Sequence, residues 1–204
     1  GTFPFPVAYR KVVGAAPRRV VVDADPRLLA PFVAAARDLA AEGVRAIATS
    51  CGFLAIFQRE LQAAVDIPVW TSSLLLVGGL ERGLAEGRRV GIVTVDAASL
   101  SEAHLRAAGA PVDAPIEGLA IDSALRRCLL DDLDHLDEDE AQRATVAAAT
   151  RLVARHPEVA VIVLECTNLP PYADAVRAAT GRPVHDITTL IADRLPASTS
   201  ANPT

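Results

Sequence analysis

Val159-Ala160-Val161-Ile162-Val163-Leu164-Glu165-Cys166-Thr167-Asn168-Leu169-Pro170 opens with the most apolar strand-like run of the chain and closes on a small polar cluster. An unbroken apolar run of this length, rich in β-branched residues and without alternation, predicts a strand covered on both faces, as in a parallel sheet. Outward from it the pattern repeats. Residues 138–156 and 124–133 read as helices before the run. Residues 171–180 (helix), 183–185 (short strand) and 187–194 (helix) follow it. Toward the N-terminus come a strand at 19–23, a helix at 26–42, a buried strand at 44–50 and a helix at 53–65. These are followed by a strand at 67–71, a helix at 74–86, a strand at 89–95 and a helix at 100–108, while 111–122 is less regular. Asp25, Pro26 and Gly43 supply the cap, first turn and stop of the 26–42 helix. The Ser/Thr/Pro-rich segment 196–204 reads as a frayed tail. Strands alternating with helices at this spacing define an α/β fold with mostly parallel sheets flanked by helices.

Composition narrows the class. The chain has 204 residues, half of them apolar, and a net charge of −5. Its basic residues are scattered, which argues against nucleic acid as a partner. No apolar run reaches the roughly 18 residues of a membrane span, and no secretory signal pattern is visible. The sequence begins at Gly1 and holds no methionine, which reads as a processed start. Three cysteines without close spacing fit a reducing, cytoplasmic setting better than a disulfide framework.

In parallel α/β sheets, ligands bind beyond the carboxyl ends of the strands. The residues to examine are therefore 50–53, 71–73, 94–96, 166–168 and 185–186. Two of these five places hold cysteine: Ala48-Thr49-Ser50-Cys51-Gly52-Phe53 and Leu164-Glu165-Cys166-Thr167-Asn168. Each cysteine leaves a strand near the start of a helix, where unpaired N–H groups favour an anion. Such a position predicts a thiol pKa below about 8.5. Gly52 permits close backbone approach, and Thr167 and Asn168 offer a hydroxyl and an amide. Cysteine is also a common packing residue, and that reading is assigned to Cys128, within a helix. No paired cysteine or histidine spacing suits zinc, so no metal is expected. Glu165 is expected to point away from Cys166, because strand neighbours alternate faces. His104, His135 and His156 read as surface residues, and the acidic run 131–140 as a solvated turn and helix start.

The two cysteine segments resemble those of the aspartate/glutamate racemase superfamily. That superfamily includes amino-acid and hydantoin racemases, maleate isomerases and arylmalonate decarboxylases. Thr49-Ser50-Cys51-Gly52-Phe53 is similar to the first cysteine motif of an aspartate/glutamate racemase-like branch, and Glu165-Cys166-Thr167-Asn168-Leu169-Pro170 to the second. Ile67-Pro68-Val69-Trp70-Thr71-Ser72-Ser73 and Arg182-Pro183-Val184-His185-Asp186-Ile187 extend the likeness, which spans residues 2–194. The resemblance implies two similar lobes, each a mostly parallel sheet flanked by helices, with the site in the cleft between them. Residues 1–73 with 185–195 would form lobe 1, and 74–184 lobe 2. It also implies a first strand and polar loop ahead of the point where this chain opens. His185 stands where an aromatic is expected.

The resemblance further implies cofactor-independent racemisation or epimerisation of an amino acid or related small carboxylate. One of Cys51 and Cys166 would remove the α-proton and the other would return one to the opposite face. The N–H groups of Gly52, Phe53, Thr167 and Asn168 and the hydroxyls of Ser50, Thr71, Ser72, Ser73 and Thr94 are candidates to hold the developing negative charge. His185 would tune Cys166 or touch the substrate, and Asp186 would cap the helix at 187. Phe53, Phe57 and Trp70 would line an apolar pocket or belong to the core. A maleate-type cis–trans isomerase and a malonate-type decarboxylase are alternatives on the same scaffold. A non-catalytic small-carboxylate binder is an alternative of another class. A homodimer or higher homo-oligomer is a family-level expectation.

Overall fold

The structure is a computed structural model that describes residues 2–195. The expected tail at 196–204 lies outside the described residues. The strands are β1 (Ile47–Ala48), β2 (Val69–Trp70), β3 (Arg89–Thr94), β4 (Ile116–Gly118), β5 (Val159–Leu164) and β6 (Val184–His185). The helices are α1 (Pro17–Val21), α2 (Leu29–Ala41), α3 (Gln58–Ala63), α4 (Val77–Arg82), α5 (Glu102–Ala108), α6 (Ala124–Leu130), α7 (Glu138–Arg155), α8 (Ala173–Thr180) and α9 (Ile187–Arg194). All strand pairs are parallel. One sheet holds β1 and β2, and the other runs β4-β3-β5-β6. β5 lies between β3 and β6 and is buried along nearly its whole length, which is why its sequence is apolar without alternation.

Close packing sets the layers. A β-carbon on Gly91 in β3 would lie 2.7 Å from a methyl of Leu152 in α7, so the absent side chain lets α7 lie directly on the sheet. Most of the buried apolar residues form one continuous cluster reaching from Phe53 and Val69 to Ile92 and Val163. A second cluster joins Trp70 of β2 to Ile187, Leu190 and Ile191 of α9, with Phe3 and Phe5 against it. Phe53, Phe57 and Trp70 are thus core residues.

Helix ends follow the predicted chemistry in several places. Asp25 accepts from the Arg27 N–H at the 3₁₀ turn Pro26–Leu28, and Gly43, at φ +81°, follows the end of α2. The Asp186 carboxylate accepts from the N–H groups of Thr188 (2.7 Å) and Thr189 (3.0 Å), capping α9. The acidic run starts α7 with Asp137 as its cap.

Two expectations are corrected. Residues 19–23 are not a strand: Pro17 opens α1 there, and Val20 and Val21 bury in the core with no strand paired to them among the described residues. The segment expected as one helix from 53 begins as a six-residue 3₁₀ turn, Gly52–Phe57, before α3. Among the described residues, no helix is long and apolar enough to cross a membrane.

Candidate active site

Both cysteines sit where parallel strands end. Cys51 is extended (φ −148°, ψ 119°) and stands immediately before the 3₁₀ turn that follows β1. Cys166 comes two residues after β5 and is buried. The loops are joined directly: the Thr167 hydroxyl donates to the Ser50 carbonyl at 2.5 Å, across 117 positions of sequence. The Thr49 hydroxyl lies 2.6 Å from the Thr71 carbonyl and 3.0 Å from that of Cys51, which ties the first loop to the end of β2.

The predicted site residues divide into a rim and a floor. Ser50 and Asn168 are exposed, and Cys51, Thr167 and His185 are partly exposed. Gly52, Phe53, Thr71, Ser72, Ser73, Thr94 and Cys166 are buried. The four floor hydroxyls are committed to the protein. Thr71 donates to Gln58 at 2.6 Å, Ser72 accepts from the Leu74 N–H at 3.2 Å, Ser73 donates to the Leu164 carbonyl at 2.7 Å, and Thr94 donates to Glu165 at 2.7 Å. They build the walls and do not present hydroxyls to solvent, because each is needed to satisfy a buried polar group. The Phe53 side chain meets the His104 ring edge-on at 5.4 Å. His185 Nδ1 is buried with no hydrogen-bond partner among the described residues.

The amide hydrogens expected at helix starts are present, but they face the sulfurs. Those of Phe53 and Leu54 act on Cys51, and the backbone and side-chain amides of Asn168 act on Cys166, the latter at 3.9 Å. Each acts to lower the thiol pKa, but the net shift is upward, against the expectation. Burial pushes Cys166 up to about 12, helped by the nearby Glu165 charge. Burial also drives Cys51 well above the ordinary thiol range, with the charges of Glu165 and Cys166 adding to it. A short 3₁₀ turn offers few aligned dipoles, and desolvation outweighs them.

Sequence reasoning missed Glu165. It is fully buried, and burial raises its carboxyl to about 7 against one opposing hydrogen bond from Thr94. A β-carbon on Gly52 would lie 2.1 Å from Glu165 Oε1 and 2.4 Å from its carbonyl oxygen, so the carboxyl is wedged against the first cysteine loop. Strand alternation therefore does not make Glu165 a bystander. His104, expected at the surface, is buried; its Nδ1 lies 2.9 Å from the Ser101 hydroxyl, and burial lowers its pKa. His135 is exposed as expected, and His156 is partly exposed beside Glu158 at 3.2 Å. Gln58 was also missed; it clamps Val69 and Thr71 at the end of β2. Gln58 stands outside the cysteine motifs, and Glu165, although it opens the second, shows these contacts only in the tertiary arrangement. Cys128, in α6, donates to the Leu133 carbonyl three residues past the end of that helix. Among the described residues, no group of three or more His, Cys, Asp or Glu side chains is placed to hold a metal ion.

Parallel sheets flanked by helices, with two cysteine loops gathered at the strand ends, define an α/β protein whose candidate site lies beyond the carboxyl ends of its strands. The chain belongs to the Asp/Glu/Hydantoin racemase family, whose model matches residues 15–195. It is 32% identical over 157 residues to a dimethylsulfoniopropionate lyase of Durusdinium sp. clade D, a match covering 71% of this chain and 49% of that protein. The chain thus spans about half the length of this relative. An arylmalonate decarboxylase structure is similar in fold, with a TM-score of 0.58 and 20% identity over 85% of this chain and 78% of that one. An aspartate racemase homologue from Pyrococcus horikoshii OT3 gives a TM-score of 0.52 and 15% identity over 87% of this chain and 77% of that one.

Proposed function

We propose that Cys51 and Cys166 form an acid–base pair that moves the proton α to the carboxylate of a small substrate, without a cofactor, giving racemisation or epimerisation. The observation that supports it most is the Thr167–Ser50 hydrogen bond, which ties the residue after one cysteine to the residue before the other. The two sheets would act as the two lobes of the site, with the substrate entering past the rim residues Ser50, Thr167, Asn168 and His185.

The steps balance between two sulfurs. One, as thiolate, takes the α-proton and becomes a thiol. The other, as thiol, gives its proton to the opposite face and becomes a thiolate. A buried thiol of high pKa is scarce as thiolate at neutral pH, yet a stronger base once ionised, which suits a weakly acidic carbon. The enolate-like charge then needs amide hydrogens in a water-poor site. Positioned acid–base groups supply about 10²–10⁴-fold, so this electrostatic contribution must be large.

A second reading follows from the lyase relative. Dimethylsulfoniopropionate is a carboxylate whose β-carbon bears a sulfonium leaving group. The same α-proton removal would there form a double bond between the α- and β-carbons as the carbon–sulfur bond breaks and its electron pair leaves with the sulfide, so no second protonation would be required.

The test uses Cys51→Ser and Cys166→Ser separately. α-Proton exchange with D₂O is followed for each enantiomer of candidate amino and hydroxy acids, and sulfide release is followed from dimethylsulfoniopropionate. Loss of racemisation in both variants supports the pair. Full racemisation and exchange in both overturns it. Sulfide release without racemisation selects the lyase reading.

A further inference from the structure

We propose that Glu165 is the positioning residue of the thiol pair: its carboxyl, wedged against Gly52 and held by Thr94, fixes the Cys51 loop on the Cys166 strand and, by carrying a proton, keeps both sulfurs clear of a neighbouring negative charge. The inference rests on the reading above only in treating Cys51 and Cys166 as the reactive pair.

Three elements meet at this residue, two of them (β3 and the first cysteine loop) at its side chain. From β3, Thr94 donates to Oε2 at 2.7 Å, while the Glu165 N–H donates to the Val93 carbonyl at 2.8 Å. From the 3₁₀ turn at Ser73–Leu76, the Ser73 hydroxyl reaches the Leu164 carbonyl at 2.7 Å and that of Glu165 at 3.5 Å. From the first cysteine loop, Gly52 stands so close that any side chain there would occupy the place of Oε1. Oε1 itself is buried and has no hydrogen-bond partner among the described residues. An ionised carboxylate wants both oxygens satisfied, whereas a protonated one tolerates a single bond far better. Thr94, Ser73 and Gly52 do not titrate. The titratable groups that its charge acts on are Cys51 and Cys166, and on both it acts against ionisation. A proton on Glu165 thus removes a carboxylate charge that works against both thiolates, and losing it sets that charge against both together.

Glu165→Gln tests this in the full chain, since it keeps the volume and the Thr94 contact without the charge. The readout is alkylation by iodoacetamide, resolved by peptide mass spectrometry for Cys51, Cys166 and Cys128 between about pH 5 and 9, across the ordinary thiol range. Alkylation of Cys51 and Cys166 above neutral pH should rise about tenfold, the change in thiolate fraction given by one pKa unit, while Cys128 stays unchanged. A folded Glu165→Gln protein whose Cys51 and Cys166 profiles match the wild type overturns the proposal. Infrared difference spectra of the wild-type protein guard against a variant that does not fold. A protonated-carboxyl band that persists at neutral pH supports the proposal, and its absence there overturns it. Neither readout needs a substrate, so a negative racemisation assay leaves this test standing. Failure here leaves the cysteine pair to be judged by isotope exchange.

Discussion

The Thr167 hydroxyl donates to the carbonyl of Ser50 at 2.5 Å, so the residue following one cysteine holds the residue preceding the other. Thr167→Val removes this tie and leaves the Ser50 carbonyl at the exposed rim, where water can replace the lost donor. The stability cost should be about 1 kcal/mol or less, while the relative position of the two loops loosens. If the pair is catalytic, turnover should fall more than stability does, and Thr167→Ser should restore it. Chemical denaturation together with the exchange assay separates the two effects.

Gly52→Ala places a methyl about where Glu165 Oε1 and its carbonyl oxygen already lie, at 2.1 and 2.4 Å. One of the two contacts is backbone, so a side-chain rotation alone does not relieve it. Overpacking of this kind costs roughly 1–3 kcal/mol or more. For a chain of this size that corresponds to a fall in Tm of about 2–4 °C per kcal/mol. A melting curve within a degree of wild type would contradict the packing described for this loop.

The Glu165 carboxyl makes stability depend on pH with a definite sign. Its pKa is raised from 4.5 to about 7 on folding. Between those values the folded chain keeps a proton that the unfolded chain releases. Its contribution is full below about pH 4.5, declines as pH rises toward 7 and is flat above that, a loss of about 3 kcal/mol at most. His104 works in the opposite direction: its lowered pKa costs stability as pH falls below its ordinary value of 6.5. Glu165→Gln should remove only the first slope, and urea denaturation at a series of pH values will show whether the difference between the two proteins vanishes below about pH 4.5.

Asp186 is buried and holds the first turn of α9 through the N–H groups of Thr188 and Thr189 and the Thr188 hydroxyl at 2.6 Å. Asp186→Ala should cost about 1–2 kcal/mol, at the upper end for a lost cap because the donors it abandons are shielded from water. Asp186→Asn should recover most of it. The prediction fails if the alanine variant unfolds at the wild-type denaturant midpoint.

Much of the architecture was legible because it depends on local or periodic signals. The apolar run Val159–Leu164 reads as a doubly covered strand, and it forms β5 between β3 and β6. Asp25, Gly43 and Asp186 announce helix ends through chemistry that acts over three or four residues. The segment Arg19-Val20-Val21-Val22-Asp23 misled, because its β-branched residues fit a strand but none pairs with it among the described residues, and Pro17 starts a helix there instead. His104 misled in the same way: its polar neighbours suggest a surface, while the face it occupies on α5 packs against Phe53.

The sequence by itself determined the parallel α/β class, the strand ends to examine and the two cysteines that stand at them, since side-chain type and period are enough for those. Only the tertiary structure decided how the cysteine loops meet, which hydroxyls are used up as walls and what charge the thiols feel. Burial and through-space contact set those properties, and they connect Gly52 to Glu165 and Ser50 to Thr167 across more than a hundred positions that no local pattern spans.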